Sequence, residues 1–177
     1  VPGHIVEVGV AYGRNTILFG HQISMRGETS TRYYYGFDTF AGYTEQDLET
    51  NSHLSAKSWK DISLSEINDR IRKSGVNSKY HFIEGDSKVE ISKFIKSRPE
   101  FKCALLYVDC NAYEPSYKAM CDLLPYMSPN GIIAIDEKQQ GGETKALFEF
   151  TQKHRLPFVK DEGPFSVPAY TKVNSLY

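Results

Sequence analysis

Short apolar runs alternate with longer amphipathic stretches along most of the chain. The strand-like runs lie at 4–10, 33–38, 80–85, 103–109 and 131–137. Between them, apolar residues recur at helical spacing over 14–26, 63–74, 87–97, 115–127 and 143–154. Runs such as ALLYV and IIAI are apolar at consecutive positions, which is typical of parallel strands covered by helices on both faces. The pattern predicts an α/β fold in which strands and helices alternate.

The end of the chain departs from this alternation. Two further strand candidates, 158–161 and 169–173, are joined by a short segment containing Gly and Pro. Strands that are joined so closely pair antiparallel. We therefore expect a doubly wound, mostly parallel sheet with an antiparallel C-terminal strand pair, in a single domain spanning 1–177. Segment 39–62 is polar and weakly periodic; it is either a surface loop or a lid over a site.

Composition restricts the partners that the chain can have. Its 177 residues include 21 Lys and Arg against 22 Asp and Glu, so no strong positive field favours nucleic acid or a membrane surface. No apolar run approaches the ~20 residues of a membrane span. The 3 cysteines are odd in number and lack CxxC spacing, which fits a reducing compartment. We expect a cytoplasmic protein with a small-molecule partner, trimmed from a longer chain at its N-terminus.

The first strand runs directly into a turn that contains Gly9 and Gly13. These glycines free the backbone to turn tightly and to approach a ligand at the following helix N-terminus. The dinucleotide fingerprint needs three glycines, and here Tyr12 and Arg14 occupy positions where small residues would be wanted. A dinucleotide therefore fits poorly, and a purely structural turn is the alternative.

Acids also end the next two strands. Asp38 is placed to accept hydrogen bonds from ribose hydroxyls, and Asp86, in the run Gly85-Asp86-Ser87, could meet an adenine amino group. The alternative for both is a turn or helix cap. Together with Glu7 and the glycine turn, they indicate an adenosine ligand without a pyrophosphate, namely S-adenosylmethionine. Glu7 could serve the ammonium end of that ligand, or pair with a neighbouring base.

The motifs taken together resemble one known family. They are IVEVGVAYGRNT (5–16), YYGFDTFAG (34–42), FIEGD (82–86), ALLYVDCNAYEPSYKAM (104–120) and SPNGIIAIDE (128–137). Over roughly residues 3–150 the chain resembles the macrocin O-methyltransferase (TylF-like) family, which are class I S-adenosylmethionine-dependent methyltransferases acting on sugar hydroxyls of natural products. The resemblance implies a Rossmann-like fold.

Site residues follow from the resemblance, position by position. It implies cofactor contacts at Glu7, Gly9, Tyr12, Gly13, Asp38, Asp86 and Ser87. It also implies a magnesium-like ion held by Asp109, Asp136 and Glu137. Adjacent parallel strands lie ~4.8 Å apart, so acids at their ends converge, and a hard divalent ion with oxygen ligands would relieve their repulsion. The alternative is that Asp109 caps a helix while the other two acids pair with lysines.

The candidate catalytic residues are Asp109, Asn111 and Lys138, and the chain departs from the family at the last two. Asn111 stands where relatives commonly have a second acid, and an amide cannot take a proton at physiological pH. Lys138 stands where some relatives carry a histidine. Three outcomes stay open: metal activation suffices; Lys138, Glu114 or Tyr113 serves as the base; or the chain binds the cofactor without efficient turnover.

These observations predict a divalent-metal-assisted O-methyltransferase that uses S-adenosylmethionine and Mg²⁺ or a similar cation. The acceptor is a small molecule with a hydroxyl group, a sugar or similar polyol. A catechol-type small-molecule O-methyltransferase and a non-catalytic S-adenosylmethionine-binding module are the alternatives. We expect no nucleic acid and no membrane as partner, and a homo-oligomer stays open.

Overall fold

The computed structural model describes residues 1–136, 142–160 and 169–174. Its strands are β1 (His4–Val8), β2 (Tyr33–Asp38), β3 (Lys79–Glu84), β4 (Cys103–Val108), β5 (Met127–Ile135), β6 (Val159–Lys160) and β7 (Ala169–Lys172). Its helices are α1 (Arg14–Met25), α2 (Glu45–Thr50), α3 (Leu64–Lys73), α4 (Ser87–Lys96), α5 (Tyr113–Leu123) and α6 (Gly142–His154), with a 3₁₀ turn at Leu124–Tyr126.

These strands form one sheet in the order β3-β2-β1-β4-β5-β7-β6. Strands β1 to β5 run parallel, whereas β7 is antiparallel to both of its neighbours. The predicted fold class is confirmed. Because the strand order reverses between β1 and β4, the carboxyl ends of these strands border the crevice in which open α/β sheets bind ligands.

Alternate residues of β1 supply two separate cores. Val6 and Val8 pack into the larger cluster, which includes residues of α4, α5 and α6. Ile5 points to the other face and packs with Ile23 of α1. The sheet is therefore covered on both faces, as its consecutive apolar runs predict. Within the described ranges, no helix combines the length and the apolar character needed to cross a membrane.

Three differences from the predicted elements stand out. Helix α2 was not predicted, although Thr44 and Asp47 form a capping box at its start. Helix α5 begins at Tyr113, two residues before Pro115. Strand β5 begins at Met127, which pairs with Cys103, and an irregularity in register follows before Ile132 pairs with Leu105. Residues typical of turns occupy the first half of β5, so the sequence pattern did not predict it as strand.

Backbone hydrogen bonds extend the parallel ladder one residue beyond the strands. Gly9 N–H donates to the Phe37 carbonyl at 2.9 Å, Asp109 N–H to Val8 at 2.8 Å and Asp136 N–H to Val108 at 3.0 Å. These bonds fix the first residue after each strand at the same edge of the sheet. The backbones of the residues that follow β1, β4 and β5 therefore lie side by side at this edge.

Gly9 is the tightest point of this edge. Its φ is +92°, and a Cβ there would lie 1.9 Å from the Asp109 carbonyl oxygen. No side chain can occupy that space without moving the end of β4. The close approach brings the turn after β1 directly against the residue that ends β4.

Comparison of Gly9→Ala with Gly27→Ala tests this constraint. Gly27 also has a positive φ, +70°, but nothing lies within 4 Å of a Cβ built there. We expect Gly27→Ala to lower the free energy of unfolding by about 1–2 kcal/mol for the left-handed backbone alone. Gly9→Ala should cost about 1–3 kcal/mol more because of the overlap. Urea unfolding curves measure both; equal losses would contradict the close approach.

Candidate active site

A pocket opens at the carboxyl edge of the sheet, over β1, β2 and β4. Its empty volume is about 700 Å³, including the part open to solvent. Six residues selected from the sequence line it: Gly9, Asp38, Asp86, Ser87, Asp109 and Asn111. The structure thus brings together residues that are up to about a hundred positions apart in the chain.

Other predicted site residues lie outside this lining. Glu7 is fully buried behind the turn, and Gly13 packs against Ile67. Tyr12 is exposed and its ring meets that of Trp59. Asp136 is exposed at the end of β5. The remaining two, Glu137 and Lys138, lie outside the described residues.

Asp38 holds the turn after β1. One carboxylate oxygen accepts the backbone N–H groups of Val10 at 2.7 Å and Ala11 at 2.8 Å, and the other accepts that of Phe40 at 2.8 Å. The turn-cap alternative is therefore observed. A carboxylate offers about four acceptor sites, so these bonds leave capacity for a further donor. Contact with a ribose stays a prediction.

Asp86, after β3, likewise caps the backbone and borders the pocket. It is the N-cap of α4, and its Oδ1 accepts the Lys88 N–H at 2.9 Å. The Lys88 ammonium lies 3.7 Å from Oδ2. The cap alternative is observed here too, while the residue still borders the pocket beside the buried Ser87. Contact with adenine stays a prediction.

Glu7 lies in a buried hydrogen-bond network. Asn15 Nδ2 donates to Glu7 Oε1 at 2.7 Å, and the Tyr34 hydroxyl donates to Oε2. The same Asn15 amide lies 3.3 Å from Asp109 Oδ2. Burial raises the pKa of Glu7 well above its ordinary value, and the nearby Asp109 carboxylate adds to the rise. Glu7 thus pairs with neutral groups rather than a base, and fixes Asn15 against Asp109.

Asp109 and Asp136 end the neighbouring strands β4 and β5. The Tyr107 hydroxyl donates to Asp136 Oδ1 at 2.5 Å; burial and then this bond raise the pKa of Tyr107. In residues 1–136, 142–160 and 169–174, no group of three His, Cys, Asp or Glu side chains is arranged to hold a metal. Because Glu137 lies outside those ranges, the predicted three-acid set stays a prediction.

Asn111 is fixed on several sides. Its φ of +59° is left-handed, a conformation that asparagine tolerates better than most residues. Its N–H donates to the Glu143 carboxylate, and its carbonyl lies 2.9 Å from His53 Nε2. Its side chain neighbours the Tyr43 hydroxyl. Sequence reasoning missed Glu143, because an acid in the first turn of a helix suggests only a favourable dipole interaction.

Segment 39–62 forms one wall of the pocket. Tyr43, Asp47 and Trp59 face the pocket from this segment. Lys88 of α4 anchors it through a 2.8 Å ion pair with Asp47 in which both side chains are largely buried. The T-x-x-D capping signal at Thr44 could have located α2. Movement of the segment as a lid stays a prediction.

Comparison with known proteins is consistent with this geometry. Residues 6–137 match the family described as a methyltransferase domain. The chain belongs to this family of methyltransferases. The methyltransferase class inferred from the motifs is thereby confirmed.

The relatives include enzymes that methylate sugars. A Streptomyces olivaceus protein named 8-demethyl-8-(2,3-dimethoxy-alpha-L-rhamnosyl)-tetracenomycin-C 4'-O-methyltransferase is 25% identical over 147 residues, 77% of this chain. The chain spans about half the length (53%) of that curated relative.

Solved structures of methyltransferases share the fold. CalS11, a calicheamicin methyltransferase, superposes with a TM-score of 0.79 at 23% identity, covering 97% of this chain and 72% of its own. Its apo structure, described as a TDP-rhamnose 3'-O-methyltransferase, gives 0.71 at 25% identity over 97% of this chain and 72% of its own. The O-methyltransferase NovP gives 0.78 at 20% identity, covering 98% and 73%.

The raised pKa of Glu7 predicts how stability depends on pH. Below the ordinary value of 4.5 the carboxyl is protonated in both folded and unfolded chains. As the pH rises, the unfolded chain releases its proton first, so stability falls until the folded-state pKa is passed. We expect Glu7→Gln to reduce this fall, measured by urea unfolding between about pH 4.5 and neutrality.

The exposed Glu66 on α3 provides the matched control. Glu66→Gln removes the same charge at a solvated position, and its stability should follow the wild-type pH dependence. A Glu7→Gln curve parallel to the wild type would show that Glu7 is ionised in the folded protein, which contradicts the buried network.

Proposed function

We propose that the protein is an S-adenosylmethionine-dependent O-methyltransferase that methylates a hydroxyl group of a sugar or similar polyol, with assistance from a divalent cation. The observation that carries the proposal is the pocket itself. It is bordered by the close glycine turn, by two acids at the ends of β2 and β3, and by Asp109 and Asn111 at the end of β4.

The proposed cofactor position follows from the acids that border the pocket. Asp38 keeps an acceptor site for a ribose hydroxyl, and Asp86 lies one strand further along the edge. Gly9 leaves the turn without a side chain at its closest approach. A sulfonium nucleoside placed here supplies the methyl group. Its reacting end would then lie toward β4, beside Asp109.

The residues that follow β4 have the proposed role of orienting the acceptor. Asp109 is a carboxylate held by the Asn15 amide, and Asn111 is fixed through its backbone and side chain. Holding the hydroxyl oxygen in line with the methyl group lowers the barrier through alignment. An amide at position 111 can donate a hydrogen bond to the acceptor but cannot take its proton.

The donor set at the strand ends suits a hard cation. Asp109 and Asp136 provide carboxylate oxygens on adjacent strands, and the neutral groups Asn15 and Tyr107 contact them. We propose that these acids and Glu137 bind Mg²⁺ or a similar ion, since oxygen ligands are what such ions prefer. Such an ion supplies a positive charge that orients a hydroxyl and lowers its pKa.

A sugar acceptor is supported by the relatives, whose names specify rhamnosyl and TDP-rhamnose substrates. The proposal is tested by methyl transfer from labelled S-adenosylmethionine to rhamnosides and to a catechol. We expect transfer to the sugar, reduced about 100-fold or more in Asp109→Asn because the acceptor loses its alignment with the methyl group. Asp69→Asn, a change on α3 whose carboxylate pairs with Arg72 and Lys73, serves as the control.

Two results would contradict the proposal. Preferential methylation of the catechol would support the catechol-type alternative. Binding of S-adenosylmethionine without transfer to any hydroxyl acceptor would support a non-catalytic binding module, which Asn111 already suggests.

The cation is tested separately by thermal unfolding. We expect millimolar Mg²⁺ to raise the melting temperature, because an ion that binds only the folded state stabilises it by mass action. Asp136→Asn should remove most of this rise while keeping an oxygen that can accept from Tyr107. Asp69→Asn should keep it. A wild-type melting temperature that does not respond to Mg²⁺ would reject the metal site.

A further inference from the structure

Two aromatic side chains meet at the mouth of the pocket. The rings of Tyr12, from the turn after β1, and Trp59, from segment 39–62, have centroids 5.8 Å apart and planes inclined by 54°. Tyr12 is 48% exposed and Trp59 is 43% exposed. Trp59 also lines the pocket. The pair, here called the aromatic platform, is therefore continuous with the proposed active site and open to solvent.

Neighbouring side chains contact each residue of the platform. Arg70 of α3 donates to the Tyr12 carbonyl at 2.9 Å, and its guanidinium lies 5.7 Å from the Tyr12 ring centroid. The Tyr43 hydroxyl lies within hydrogen-bonding reach of the Trp59 and Asn111 side chains. The platform is thus linked through one phenol to the residue that borders the proposed acceptor site.

The backbone at Trp59 carries a further sign of function. Its φ is +59°, and that of Asp61 is +56°. A left-handed conformation is an outlier for a bulky residue, and it persists only where the surrounding structure imposes it. Such outliers cluster at ligand clamps and active sites. Here the outlier presents a large apolar ring to solvent rather than to the core.

We propose that the aromatic platform binds a planar aromatic ring that is attached to the methylated sugar. This inference rests on the proposed function. The sugar hydroxyl lies inside, near Asn111, so a group linked to that sugar emerges at the mouth and meets Trp59 and Tyr12. Exposed flat indole and phenol faces favour stacking with another aromatic ring. A nucleotide and an aromatic aglycone share this chemistry.

Trp59 is the single tryptophan of the chain, so fluorescence excited selectively at tryptophan reports on the platform. With S-adenosylhomocysteine present, we would titrate the protein with L-rhamnose, phenyl α-L-rhamnopyranoside and thymidine diphosphate-rhamnose. A ring-bearing sugar should change Trp59 emission and bind about 3- to 10-fold more tightly than L-rhamnose, as expected for one aromatic pair. Which of the two ring-bearing probes gains affinity identifies the aglycone or the nucleotide as the source.

Variants separate the platform from general stability. Trp59→Ala and Tyr12→Leu should remove the advantage of the ring-bearing probe by raising its KM, with kcat less affected. Trp59→Phe should keep most of the advantage. Phe148→Ala provides the matched control, because Phe148 is a 50% exposed aromatic whose ring centroid lies 5.7 Å from that of Phe158. This variant should leave KM and kcat unchanged.

Equal affinity for all three probes, or an advantage that survives in Trp59→Ala, would overturn the platform. If L-rhamnose is methylated and no ring improves binding, the proposed function stands and this inference fails. If no probe is methylated, the proposed function fails, while the fluorescence titration still decides whether the rings bind.

Discussion

The close approach of the turn after β1 to the end of β4 is the constraint on which the site depends. Gly9 permits it because no Cβ separates the turn from the Asp109 backbone, and Asp38 stabilises it by accepting N–H groups of Val10 and Ala11. With the turn fixed, the ends of β1, β2 and β4 border one pocket. A side chain at position 9 would separate the turn from the end of β4.

Several residues serve the fold and the site at once. Asp38 and Asp86 cap backbone N–H groups and still border the pocket, so the structural and functional interpretations are compatible. Glu7 is buried, and through Asn15 it fixes the Asp109 carboxylate. Rigid support of this kind places a reacting group without leaving it free to rotate.

The sequence predicted most of the fold because strand and helix periodicities are local signals. It also predicted that acids would converge, because parallel strands share one carboxyl edge. It could not locate Glu143 behind Asn111, because that contact joins segments far apart in the chain, and it left segment 39–62 open between a surface loop and a lid. Helix α2 was missed although its capping box is a local signal, since a six-residue helix shows little periodicity.

The central claim is that this edge of the sheet holds an adenosine ligand, and a crystal structure with S-adenosylhomocysteine tests it most directly. The account predicts ribose density within hydrogen-bonding distance of Asp38, adenine beside Asp86, and the sulfur directed toward Asp109. A nucleoside bound elsewhere on the protein, or a ribose turned away from Asp38, would contradict it.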